Sequence, residues 1–85
     1  MFFEKKPKKV KDNYNMELIG LKQIRKQKKY SQLKVAMDLH ISRETLSYYE
    51  NGKRNPDVQM LVDMSQYFNV SIDFLIRGQE FGNNQ

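Results

Sequence analysis

Apolar residues recur along this chain at helical spacing, and no segment sustains the alternation of a strand. Leu18, Leu21 and Ile24 line one face of a segment that starts after Asn15 and ends near Lys28, with Lys22, Gln23, Lys26 and Gln27 on the watered side. Asn15 is the expected cap of that first helix. Ser31 reads as the cap of a second, short helix whose stripe is Val35, Ala36 and Leu39. After a break at His40-Ile41, Ser42 caps a third, with Leu46 and Tyr49 inward, which the pair Asn51-Gly52 stops. Asn55-Pro56-Asp57 opens a fourth with an inner face of Val58, Leu61, Met64, Ser65 and Phe68, and Asp57 serves as its cap or as a first-turn acid. Asn69 suits a left-handed exit. Ser71 and Asp73 then start a fifth helix carrying Ile72, Phe74, Leu75 and Ile76, closed by Gly78. The pattern predicts an all-α domain of five short helices over residues 16–78, a flexible basic arm at 1–15 and a disordered tail at 79–85.

Charge sharpens this picture. Residues 1–15 hold five lysines against Glu4 and Asp12, a net of +3, and residues 16–55 a net of +5, whereas residues 56–85 carry a net of −3. A basic front with an acidic back is the footprint of a polyanion binder, though a plain lysine-rich surface reads the same way. With no cysteine and one histidine, His40, neither a disulfide framework nor a zinc site is expected. No apolar run approaches the roughly 18 residues of a membrane span, and no stretch reads as a secretory signal, so a cytoplasmic location is expected. The serines and aspartates are accounted for as helix caps. No catalytic constellation remains, and neither enzyme activity nor a cofactor is expected.

The stretch from Gln32 to Asn51 carries the function. Two helices of about eight residues joined by so short a turn must cross steeply. Ala36 provides the small residue at the crossing, Ile41 the apolar residue after the turn, and Leu46 and Tyr49 the inward anchors of the second helix. Arg43, Glu44, Ser47 and Tyr48 are left pointing outward. Polar side chains at the start of such a helix are what reading base edges in the major groove requires.

With Ser31-Gln32, Ala36, Ile41-Ser42-Arg43, Leu46, the run Glu50-Asn51-Gly52-Lys53-Arg54-Asn55-Pro56, Val70-Ser71 and Leu75, residues 18–77 resemble the phage-repressor and Cro-like helix-turn-helix family, the XRE family. The resemblance implies a lambda-repressor-like DNA-binding fold. It implies base contacts from Arg43, Glu44, Ser47 and Tyr48. Backbone contacts are implied for Gln32, Ser42, Asn51, Gly52, Lys53 and Arg54, with Gln32 also bracing the recognition helix. It implies a partly buried structural ion pair between Arg25 and Glu50. Three positions depart from the family pattern: His40 stands where glycine is usual, a tolerable occupant of a positive-φ turn, and Leu33 and Lys34 replace acidic residues, Lys34 adding to the basic face.

The expected function is a sequence-specific regulator of transcription, a repressor, bound as a homodimer to an inverted-repeat operator in double-stranded DNA, with half-sites about 34–36 Å apart. Phe74, Ile76 and Phe81 are candidate dimer contacts. An antitoxin-type protein that binds DNA and also neutralises a protein partner is the alternative. No membrane role is expected, although Phe2, Phe3 and the lysines of the arm leave a lipid-surface reading open.

Overall fold

The computed structural model describes residues 16–79, and within them five helices and no strand: α1 (Ile19–Gln27), α2 (Gln32–Leu39), α3 (Arg43–Asn51), α4 (Val58–Phe68) and α5 (Ile72–Arg77). Four of them begin in the predicted way. The side-chain oxygens of Ser31, Ser42, Asp57 and Ser71 accept from the backbone N–H three residues on, at Lys34, Thr45, Met60 and Phe74. The same four end in left-handed residues, His40, Gly52, Asn69 and Gly78. At His40, with φ 62°, the exit lets the Ile41 N–H reach back 3.0 Å to the Ala36 carbonyl, which turns the chain into α3 within three residues.

α1 departs from expectation. It starts at Ile19 rather than Met16, and Leu18, its cap position, makes no side-chain cap bond; Asn15 lies outside the described residues. Tertiary contacts take residues 16–18 away from the helix. The Leu18 side chain is buried while its N–H donates to the Tyr49 carbonyl at 3.3 Å, and the Met16 N–H donates to Asn55 Oδ1 at 3.1 Å. These bonds tie the entry of α1 to the end of α3 and the loop beyond it. Val58 is the second departure. It is the first residue of α4 and is 74% exposed, so the inner face of that helix begins at Met60, which packs against the core.

The core is one cluster: Leu18, Leu21, Ile24, Val35, Ala36, Leu46, Tyr49, Met64, Phe68 and Leu75. α1 crosses α5 so closely that a Cβ on Gly20 would lie 1.7 Å from the Phe74 carbonyl oxygen. Only glycine fits that crossing. Phe74 and Ile76, expected at a dimer contact, are half-buried and pack against this core; Phe81 is outside the described residues, as are the arm and residues 80–85 of the tail. The core therefore fixes α1, α4 and α5 as a platform on which the α2–α3 pair sits.

Candidate nucleic-acid interface

α3 is the element whose two sides differ most. Leu46, Tyr49 and Glu50 are buried, whereas Arg43, Glu44 and Tyr48 are exposed and Ser47 is half-buried. The inward commitments fix the roll of the helix, and the roll aims its first two turns outward. At the tip, Ser42 Oγ accepts the Thr45 N–H at 3.0 Å and donates to Thr45 Oγ1 at 2.8 Å, so its hydroxyl is already engaged. Farther along, Asn51 Nδ2 donates to the carbonyl oxygen and the Oγ of Ser47, at 2.9 and 3.2 Å. Asn51 and Ser47 thus act as a unit, and the Asn51 amide donor is turned back onto its own helix.

Behind this face lies a buried polar network. Glu50 accepts from Arg25 Nε at 2.6 Å and Nη2 at 3.1 Å, while Arg25 Nη1 donates to the Tyr30 carbonyl at 2.9 Å. Glu50 Oε1 also accepts from Gln32 Nε2 at 3.1 Å, and Gln32 Oε1 in turn accepts from Arg43 Nη1 at 3.2 Å. The chain of bonds fixes which way the Gln32 amide faces: its N–H2 is taken by a carboxylate, so its oxygen points at Arg43. A guanidinium on the outer face is thereby connected to an ion pair in the core.

The loop after α3 is turned outward by Gly52, at φ 75°, whose following residue closes a 2.8 Å bond from the Lys53 N–H to the Tyr48 carbonyl. Asn51, Lys53 and Arg54 are exposed beside α3, and Gly52 is half-buried between them. The described acids of the C-terminal third are occupied elsewhere. Asp57 caps α4, Asp63 accepts from Gln59 at 3.0 Å, and Asp73 pairs with Arg77 at 2.8 Å.

Lys34 does not simply enlarge the basic face. Its ammonium is 3.0 Å from Asp38 Oδ2 and 4.9 Å from the centre of the Tyr30 ring. The same Asp38 oxygen accepts the Tyr67 phenol at 2.6 Å, which bolts α2 to α4. That bond, and then Lys34, hold the Asp38 carboxyl below its ordinary range. Burial, followed by the bond to Asp38, pushes the Tyr67 phenol up to about 12. The sequence carries no signal for this contact, since its partners stand on separate helices with no shared period. Among the described residues no group of three His, Asp or Glu side chains is arranged to hold a metal, and no helix is long and apolar enough to cross a membrane.

The family described as helix-turn-helix matches residues 21–75. The chain is 42% identical over 60 residues to the uncharacterized HTH-type transcriptional regulator YqaE of Bacillus subtilis, an alignment covering 71% of this chain and 52% of that protein. It is 43% identical over 58 residues to the SPbeta prophage-derived regulator YonR of the same organism, covering 68% of this chain and 54% of YonR. With the HTH-type transcriptional activator BcrR of Enterococcus faecalis the identity is 38% over 60 residues, covering 71% of this chain and 29% of BcrR. The chain thus spans about half the length of the first two relatives and under a third of the last. A crystal structure of a transcriptional regulator from Listeria innocua is similar with a TM-score of 0.63 at 31% identity, covering 76% of this chain and 62% of that one.

Proposed function

The chain belongs to the XRE-type helix-turn-helix family, a family of DNA-binding regulators rather than an enzyme class, and from that membership we propose that it is a sequence-specific regulator of transcription that docks α3 in the major groove of double-stranded DNA. The observation that carries the reading is the two-sidedness of α3. Its inner residues are spent in the core, while Arg43 and Glu44 stand exposed at its N-terminus and Tyr48 about one turn on, with Ser47 beside it. These four side chains contact base edges. Gln32, Gly52, Lys53 and Arg54 contact the phosphate backbone and set the register, the charged members through counterion release, while Ser42 and Asn51 reach a phosphate only by exchanging the bonds that their hydroxyl and amide donors make to Thr45 and Ser47.

Two copies bind an inverted repeat, because one short helix reads too few base pairs to specify a site alone. Occupying the groove is enough to repress a promoter that overlaps the site, so repression is the simplest output. Selection of bound duplexes from a random pool tests the base reading and the two-copy arrangement together. The expected product is an inverted repeat with half-site centres about 34–36 Å apart. A pool that emerges with no enriched sequence overturns the proposal.

A further inference from the structure

Resting on the reading of α3 as a base-reading helix, we infer that Glu44 is a negative selector that confines the half-site to a cytosine beside the guanine taken by Arg43. The two residues are neighbours of opposite charge at the tip of α3, both exposed, yet they do not neutralise each other. Arg43 Nη1 instead donates to Gln32 Oε1 at 3.2 Å, and Gln32 cannot turn away because its Nε2 is held at 3.1 Å by the buried Glu50. Glu44 has no hydrogen-bond or ion-pair partner among the described residues. Successive residues on a helix do not face each other, which adds to the separation. The geometry therefore presents a positioned donor and an unspent carboxylate side by side.

A carboxylate brought against a duplex is repelled by every phosphate, so Glu44 weakens binding to all sequences unless a base compensates it. Only a hydrogen-bond donor compensates. In the major groove guanine offers N7 and O6 and thymine offers O4, all acceptors, which add to the repulsion. Adenine offers its N6 amino group, but N7 lies beside it and opposes the second carboxylate oxygen. Cytosine N4 has no acceptor of its own next to it, and it is the base edge that suits a glutamate. Arg43, with its remaining N–H groups, is matched to guanine O6 and N7. The target is thus a guanine and a cytosine in adjacent base pairs of each half-site, with Arg43 supplying attraction and Glu44 rejecting what lacks the amino group.

The test is parallel selection from a random duplex pool by the wild type and by Glu44→Gln, followed by titration of both against a scrambled duplex. The wild type is expected to enrich adjoining guanine and cytosine. Glu44→Gln keeps the guanine and trades cytosine for adenine, which glutamine reads through N6 and N7. Its discrimination for cytosine at that position falls by roughly fivefold to a hundredfold. Its affinity for the scrambled duplex rises, since a like charge has been removed. If Glu44→Gln selects the same bases as the wild type, or binds the scrambled duplex no more tightly, the inference is overturned and Glu44 is only a first-turn acid favoured by the helix dipole. That outcome leaves the reading of α3 standing. A wild type that enriches no sequence overturns both.

Discussion

Two ionic clusters flank α2, and their short bonds are nearly the same length. On the inner side Arg25 and Glu50 meet at 2.6 Å; on the outer side Lys34 and Asp38 meet at 3.0 Å, with the Tyr67 phenol 2.6 Å from the same carboxylate. Exposure to solvent distinguishes them. The Glu50 side chain is 0% exposed and that of Arg25 10%, against 50% for Lys34 and 40% for Asp38. Distance alone therefore does not separate these contacts. A buried pair has given up its hydration and depends on its partner, whereas an exposed pair can exchange its partner for water at little cost. The inner cluster is the lock that holds α1, α2 and α3 in register, and the outer cluster only trims the docking of α2 on α4.

The comparison breaks most sharply at Glu50. Glu50→Ala leaves the Arg25 guanidinium buried with the Tyr30 carbonyl as its remaining acceptor, which is expected to cost about 3–5 kcal/mol of folding free energy. Urea denaturation reads this directly as a fall in the midpoint. A loss near that of a surface substitution would mean that burial does not separate the two clusters.

Gln32 comes next, and it carries the inner cluster outward. Gln32→Ala leaves Glu50 with both Arg25 bonds, so the stability loss should be about 1 kcal/mol. Its larger consequence lies in binding, because Arg43 loses the acceptor that holds it. A double-mutant cycle with Arg43→Ala on DNA affinity is expected to give a coupling of about 0.5 kcal/mol or more. Additive effects would show that the 3.2 Å contact positions nothing.

What the sequence made legible follows the same division between local and distant causes. Ser31, Ser42, Asp57 and Ser71 cap through bonds spanning three residues, so their chemistry is written beside the helix it starts. The outward face of α3 was legible for a related reason: once Leu46 and Tyr49 are assigned inward, the helical period dictates the rest. Gln32 and the Arg25–Glu50 pair came from the family resemblance, not from any period. The true start of α1 was hidden, because the Leu18 N–H bonds to Tyr49 and the Met16 N–H to Asn55, 39 residues away. Val58 fits the stripe of α4 but, as its first residue, stands past the edge of the core, and periodicity does not report where a core ends. The left-handed Lys29, at φ 62°, had no glycine or asparagine to announce it. The Tyr67–Asp38 bolt joins residues 29 apart on two helices, and only the folded chain brings them together.

That bolt gives the smallest effect and the finest test of the comparison. Tyr67→Phe removes the phenol from an exposed carboxylate, so the melting temperature should drop by no more than a few degrees. Its pH dependence identifies the contact. The bond stabilises charged Asp38, and the carboxyl is held below its ordinary range, so this contribution is complete above that range and is lost as pH falls through the lowered value. It also stabilises the neutral phenol. Because Tyr67 is raised from 10.0 to about 12, stability is retained below pH 10.0 and is lost as pH climbs from there through about 12. The difference in melting temperature between wild type and Tyr67→Phe should therefore form a plateau around neutrality and narrow at both ends. Should the Tyr67→Phe difference persist undiminished in alkali, the phenol contributes packing alone, and the outer cluster is no ionic contact for the inner one to be compared with.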